Sequence, residues 1–180
     1  MDDLARSRKY QWLPDRHRPS GMLCRLVLDD VEQCLQWLED EPDEFRFRMV
    51  LVAAIALVRT VGHVLRNIDS RNDEKLKRVV DDKFEAWRQN REKSKVFWEF
   101  INEERNSILK EYEFRFDFAP IVTTAESDHA WRVGSNLYCP VAEGVYAGED
   151  VRDVLKEAVA WWRRELQEIE GLSSQSTDPS

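Results

Sequence analysis

A single arginine among apolar residues is the feature of this 180-residue sequence that points most directly to chemistry. On a helix that advances about 100° per residue, Arg105 lies about 80° from Phe97, between Ile101 and Trp98. A guanidinium on a packed face must contact an anion, because an unpaired buried charge is very costly. That anion is either a carboxylate of a neighbouring helix or the phosphate of a ligand.

Three polar residues that follow Arg105 complete the candidate site. Asn106 comes directly after it, and Lys110 and Tyr112 follow within two helical turns. Tyr112 shares the face of Arg105, from which it could orient a phosphate. We expect Asn106 and Lys110, together with the preceding Asn102, to project away from the apolar side.

Basic residues also share one line on an earlier predicted helix. These are Arg48, Arg59 and Arg66, with His63 four residues after Arg59. In one interpretation the line meets acidic groups of adjacent helices or lies at the edge of the bundle. In the other, the whole line is part of an anion pocket together with Arg105, with Arg59 and His63 as its binding residues. His63 by itself is more typical of a partly buried imidazole than of a catalyst.

Other kinds of site lack the residues that they would need. The three histidines and three cysteines have no metal-ligand spacing, and neither a glycine-rich phosphate loop nor a nucleophile elbow occurs. We therefore predict no metal and no cofactor. An odd number of cysteines without paired spacing predicts reduced, mostly packed thiols in a cytoplasmic protein.

Charge and hydropathy narrow the classes of partner. A net charge of −8 argues against a broad electrostatic footprint for nucleic acid but leaves room for a local basic site. The unbroken apolar run at 49–58 is too short to span a bilayer, and the N-terminal residues lack the apolar core of a secretory signal. We therefore expect no association with a membrane.

The elements that must position these residues are mostly helices. A charged fraction of 34%, with six glycines and six prolines, favours helices joined by short connections. Alternating Phe114, Phe116 and Phe118 predict a strand, and 121–124 a second one, within a β insertion or ordered loop at 114–148. The predicted fold is mainly α, a bundle of four to five helices. Apolar periodicity places these helices at 22–39, 44–69, 72–90, 95–112 and 149–169.

The ends of the chain differ from the bundle in composition. Residues 1–20 are polar and contain several prolines, which predicts an irregular arm that is partly docked through Trp12 and Leu13. Residues 21–171 form a single domain, and Gly171 ends its last helix. Residues 172–180 contain almost no core-forming residue, so we expect a disordered tail.

The pair Arg105-Asn106, late in the bundle and after the long apolar helix, resembles the signature of the HEPN superfamily. These all-α bundles occur in prokaryotic toxin–antitoxin and defence systems, and their signature is an arginine, a polar residue and, after four to six intervening residues, a histidine. The resemblance covers about residues 22–113. It implies metal-independent RNA cleavage at a dimer interface, where arginine stabilises the scissile phosphate and histidine assists attack by the 2′-hydroxyl.

The positions where this histidine could stand hold Lys110, Glu111 and Tyr112. Tyrosine titrates at about 10 and lysine higher, so neither is a ready base at neutral pH. We therefore favour a non-catalytic or weakly catalytic HEPN-like domain that binds a nucleotide, RNA or a protein partner through Arg105. A second hypothesis is an active RNase with Arg105, Asn106 and Tyr112 as its site. A third is a purely structural or interaction protein, in which Arg105 pairs with a carboxylate such as Glu104.

We also predict a homodimer. The resemblance implies one, because two copies of the motif helix face each other in the family. The sequence adds Trp98, Trp161 and Trp162, which we interpret as aromatic residues at helix edges.

Overall fold

Five helices make up most of the described part of the chain, and the fold is a mainly α helical bundle, which confirms the predicted class. The predicted arm at 1–20 lies outside that part. The computed structural model describes residues 21–41, 43–118, 121–124, 130–133 and 138–175. The helices are α1 (Leu23–Asp40), α2 (Glu44–Asn67), α3 (Glu74–Gln89), α4 (residues 97–111) and α5 (Val151–Gln175).

The helix that carries Arg105, α4, departs from regular α-helical geometry. It consists of a π-helical segment, Phe97–Asn102, one α-helical turn, Glu103–Asn106, and a second π-helical segment, Ser107–Glu111. In a π-helix the hydrogen bonds span five residues, which widens the turn and shifts side chains from their α-helical positions. Asn102 and Asn106 are half-buried, so the expectation that they project away from the packed side is wrong.

The long apolar helix α2 contacts each of the other four helices. The Asp43 carboxylate caps its first turn by accepting the Arg46 N–H at 2.8 Å. Close packing near its end depends on Gly62, where an added Cβ would lie 2.9 Å from the ring of Trp162. The indole N–H of Trp162 also donates to the Val58 carbonyl oxygen at 3.0 Å. These contacts fix α5 against α2.

An aromatic cluster joins α3, α4 and α5. Trp161 lies with its ring centroid 4.9 Å from that of Trp87 and 5.3 Å from that of Phe97. Trp161 and Trp162 are buried in this cluster, and Trp98 is half-buried. The interpretation as helix-edge residues is therefore wrong for Trp161 and Trp162, because the core of the protomer covers them. Trp98 remains half-buried, and the homodimer stays a prediction.

The connection between α3 and α4 is a turn, so the two helices do not fuse. The Ser94 Oγ lies 2.9 and 2.8 Å from the carbonyl oxygens of Trp87 and Asn90, between which its single O–H is shared. The indole N–H of Trp98 donates to the same Trp87 carbonyl oxygen at 2.9 Å. These bonds satisfy carbonyl groups that the end of α3 leaves without a helical partner.

The alternating phenylalanine segment does not form the predicted strand. Phe116 makes only an isolated antiparallel bridge with Val141. The neighbouring residue Pro140 accepts the N–H of Asp117 at 3.0 Å but has no N–H of its own to continue the ladder. The predicted strand at 121–124 is present.

Two short strands form a hairpin in the predicted insertion. β1, Ile121–Thr124, pairs antiparallel with β2, Ala130–Val133, in a register that places Ile121 opposite Val133 and Thr124 opposite Ala130. This arrangement agrees with a small β insertion before the last helix.

The last helix extends beyond its predicted end. α5 continues through Gly171 to Gln175, so the prediction of a disordered tail is wrong for residues 172–175, and 176–180 lie outside the described residues. The hydroxyls of Ser173 and Ser174 donate to the Glu170 carbonyl oxygen at 3.0 and 2.8 Å. The Glu170 carboxylate also pairs with Arg25 of α1 at 2.7 Å, which holds this end of α5 against the bundle.

One stretch, α2 with the turn that follows it, has the length and the apolar composition of a helix that could cross a membrane. It comprises residues Glu44–Asn72. In its most apolar window, 44% is buried inside the protein. The central helix of a bundle meets the same two criteria, so this finding does not by itself place the chain in a membrane.

Candidate anion-binding site

The guanidinium groups of Arg59 on α2 and Arg105 on α4 are near enough that the charge of one acts on the other. Both side chains are half-buried. Desolvation by burial lowers the pKa of Arg59, and the positive charge of Arg105 lowers it further. The two like charges therefore destabilise each other, and a bound anion between them would relieve that repulsion.

Each of these guanidinium groups is hydrogen-bonded to a neutral side chain. The Arg59 Nε donates to the Asn102 Oδ1 at 3.3 Å, and the Arg105 Nη1 donates to the Asn106 Oδ1 at 3.0 Å. Within residues 21–41, 43–118, 121–124, 130–133 and 138–175, no carboxylate lies within salt-bridge distance of Arg59 or Arg105. The protein thus supplies no counter-charge here from its described residues.

The remaining chemistry of the cluster is that of hydrogen-bond donors. An arginine offers only N–H groups, and an asparagine whose oxygen is engaged still has its amide N–H₂ to donate. The guanidinium of Arg59 also lies over the ring of Phe97, with its Cζ 5.8 Å from the ring centroid, which partly compensates its burial. We call these four side chains, Arg59, Asn102, Arg105 and Asn106, the donor cluster. It is suited to an anion that accepts several hydrogen bonds.

The other two arginines of the α2 line have different surroundings. Arg66 pairs with Asp81 of α3 at 3.2 Å and lies over the ring of Phe84, at 5.1 Å from its centroid. For Arg66, therefore, the interpretation that the arginine line meets acidic groups of adjacent helices is the one that fits. Arg48 lies over the ring of Phe45 at 5.3 Å, and its Nε is buried without a hydrogen-bond partner in the described part.

Tyr112 does not join Arg105. α4 ends at Glu111, and Tyr112 adopts the left-handed conformation with φ 56°, so the face that an uninterrupted helix would share is lost. The side chain is 67% exposed, and its ring packs against Phe114 with centroids 5.1 Å apart. The Ser107 carbonyl oxygen accepts the Glu113 N–H at 3.3 Å, which fixes this helix end.

His63 and Lys110 are both exposed. His63 contacts Asn67, whose amide nitrogen lies 3.3 Å from the imidazole Nδ1. No hydrogen bond, ion pair or ring contact joins His63, Lys110 or Tyr112 to Arg105 in the part of the chain that the structure describes. Of the predicted site residues, the structure thus brings together Arg59, Arg105 and Asn106.

Asn102 is the member of the donor cluster that the sequence analysis missed. Its position three residues before Arg105 on one helix was a usable signal, because such residues are neighbours on a helix surface. Its pairing with Arg59 joins residues 43 positions apart, and no local pattern encodes that contact.

Glu104 is a second charged group on α4, and helical spacing places it toward the apolar side of that helix. Glu104 is only 2% exposed, its Oε1 lies 3.9 Å from the Arg115 Nη1, and its Oε2 is buried without a hydrogen-bond partner among the described residues. Arg115 makes a closer contact with Glu143, at 2.7 Å, and reaches Glu103 at 3.8 Å. Burial raises the pKa of the Glu104 carboxyl to about 7.

Comparisons with known proteins add no relative. No protein-family model matches the chain, and neither the curated proteins nor the solved structures gave a match. Membership of the HEPN superfamily therefore stays a prediction. Among the described residues, no group of three or more His, Cys, Asp or Glu side chains is arranged to hold a metal ion.

Proposed function

We propose that this chain is a non-catalytic, HEPN-like helical domain that binds a phosphate-bearing ligand, a nucleotide or RNA, through the donor cluster. The observation that carries the proposal is the pair of half-buried guanidinium groups, Arg59 and Arg105, bonded only to neutral amides in the described part. The three free, buried thiols of the described residues support the cytoplasmic location that we propose with it.

Phosphate suits this arrangement better than a carboxylate does. A phosphate group offers more acceptor oxygens, and two guanidinium groups with two amides supply donors to several of them at once. Arginine binds phosphate through paired N–H groups in a fixed plane, a geometry that lysine cannot reproduce. A single phosphate held between α2 and α4 would also remove the repulsion between the two cations.

Binding is favoured over cleavage because the cluster lacks a proton acceptor. RNA cleavage through the 2′-hydroxyl requires a general base within hydrogen-bond reach of the reacting group. Tyr112, the candidate on the Arg105 helix, is exposed and packs on Phe114 instead. We expect purified protein to leave transfer RNA intact in EDTA. Cleavage that Arg105→Met abolishes would establish the RNase alternative instead.

Thermal unfolding with and without ligand tests the proposal. Adenosine 5′-monophosphate and a short single-stranded RNA serve as probes, and adenosine is the control that lacks the phosphate. At 100 times its dissociation constant a ligand stabilises a protein by about 2.7 kcal/mol, which corresponds to roughly 5 to 10 °C for a chain of this size.

Three variants assign the effect to the donor cluster. Arg59→Met and Arg105→Met should abolish the shift, whereas Arg66→Met should retain it, since Arg66 already pairs with Asp81. Equal shifts in wild type and Arg105→Met would end the ligand proposal. A structural role for Arg105 alone predicts no shift with any probe, together with a larger loss of stability in Arg105→Ala than in Arg105→Met.

Homodimerisation and a protein partner remain proposals that rest on the family resemblance. Sedimentation of the full chain at micromolar concentration distinguishes monomer from dimer. A strict monomer would contradict the dimer and would leave phosphate binding by one protomer untouched.

A further inference from the structure

Large apolar side chains are exposed together where α1 ends and α2 begins. Trp37 is 56% exposed, Phe45 63% and Met49 49%. With Val50 and Arg46 they line a groove of about 460 Å³. Single exposed apolar residues are ordinary, but several around one groove indicate a surface that another segment covers.

The rim of this groove is acidic. Asp40 ends α1, Glu44 begins α2 and Asp43 lies between them, and all three are exposed. Glu41 lines the groove itself. Arg46 is the basic residue of the lining. A segment that fits here would carry large apolar side chains flanked by lysine or arginine.

Residues 1–20 of this chain have that composition. Trp12 and Leu13 are preceded by Arg8 and Lys9 and followed, after Pro14 and Asp15, by further arginines. The segment contains five Lys and Arg residues against three Asp residues, so its charge is opposite to that of the rim. It ends directly before α1, at the opposite end of that helix from the groove.

The length of the segment allows it to reach the groove. From Leu23 to Trp37, α1 rises by about 21 Å, at 1.5 Å per residue. The nine residue-to-residue steps from Trp12 to Gly21 span up to roughly 30 Å when extended. Trp12 can therefore lie beside Trp37 while the chain runs back along α1.

We infer that the N-terminal arm, residues 1–20, docks in cis across the groove lined by Trp37, Phe45 and Met49. Trp12 and Leu13 fill the apolar floor, and the flanking basic side chains face the acidic rim. Because the arm is attached to the protein it covers, its effective concentration at the groove is high and modest contacts suffice to hold it. A second copy or another protein can bind this face only after displacing the arm.

Photo-crosslinking in the full chain tests this docking. The residue p-benzoylphenylalanine replaces Trp12, and the products are separated by mass and mapped by proteolysis and mass spectrometry. We expect cross-links within one chain to peptides of the 37–50 region. The same label in a Phe45→Ser, Met49→Ser background is the matched control, and both substituted residues are exposed, so the fold is retained.

The cross-link yield should fall about tenfold in that control. Each substitution removes a large apolar side chain from the contact, and burying one such side chain contributes more free energy than a tenfold change in a binding equilibrium requires. Cross-links between two chains at the groove would show that a second copy is the occupant and would overturn the inference. Cross-links to another surface, or an unchanged yield in the control, would overturn it as well.

Amide hydrogen exchange gives an independent readout without a label. In the full chain, Trp12→Ser with Leu13→Ser should accelerate exchange at the start of α2, whereas Leu4→Ser, earlier in the arm, should not. Identical exchange at 37–50 in the three proteins would contradict docking.

Discussion

Replacing the buried carboxyl of Glu104 by an amide should stabilise the protein at alkaline pH. Burial raises the pKa of this group from 4.5 to about 7, because the distant contact with Arg115 does not compensate its desolvation. Between these two values the native protein binds a proton that the unfolded chain releases. The free energy of unfolding therefore falls as the pH rises through this range.

The size of the effect follows from the difference between the two pKa values. Each pKa unit corresponds to 1.36 kcal/mol, so the ionised carboxylate destabilises the native state by about 3 kcal/mol at pH 8. Near pH 5 the group is protonated in the native state, and the difference falls to about 1 kcal/mol. Glu104→Gln retains the shape of the protonated side chain and is neutral throughout, so it should be more stable than wild type by these amounts.

Urea unfolding followed by tryptophan fluorescence measures this difference at pH 5 and pH 8. The matched control is Glu103→Gln, because Glu103 is the preceding residue, also faces Arg115, and is exposed. We expect that control to stay within about 0.5 kcal/mol of wild type at both pH values. The reasoning is refuted if Glu104→Gln is no more stable than wild type at pH 8, or if its advantage does not grow with pH.

Three further predictions concern packing, capping and the thiols. Gly62→Ala should destabilise the protein by about 1 to 3 kcal/mol in urea unfolding, because the new methyl group meets the Trp162 ring at 2.9 Å. Helix propensity alone predicts the opposite, so a stabilised variant would contradict this packing. Asp69→Ala should cost about 1 kcal/mol by the same assay, since the Asp69 carboxylate accepts the first two N–H groups of α1 at 2.8 and 2.9 Å; an unchanged urea midpoint would count against that cap. The three buried thiols should resist alkylation at pH 8 until urea is added. Only the thiolate reacts with the reagent, and burial raises the pKa of Cys139 to about 12. Rapid labelling of the native protein would contradict the burial of these thiols.

Helical periodicity predicted the packed side of α4 well up to its last turn. Phe97 and Ile101 are buried as expected, because three- and four-residue spacing records which side of a helix avoids water. The same pattern failed at Tyr112, which is exposed, since the chain turns away there in a left-handed conformation. No glycine marks that end, so no local residue signal indicated it.

The remaining errors arise from contacts that local patterns do not encode. Gly171 predicts a helix end by propensity, yet the pairing of Glu170 with Arg25 holds α5 in place beyond it. Alternating phenylalanines predict a strand, but Pro140 on the opposite segment limits the pairing to one bridge. The proximity of Arg59 and Arg105 likewise depends on how α2 and α4 pack. A shared anion pocket was therefore one of two interpretations of the sequence, and no local pattern could decide between them.

The central claim is that one phosphate group lies between Arg59 and Arg105. Nitrogen-15 spectra of the arginine Nε–H groups, recorded during titration with adenosine 5′-monophosphate and separately with adenosine, test it most directly. The resonances of Arg59 and Arg105 should shift together with the phosphorylated probe only, while that of Arg66, paired with Asp81, should stay in place. If Arg59 and Arg105 keep their positions as the monophosphate is added, or respond equally to adenosine, the donor cluster does not bind phosphate.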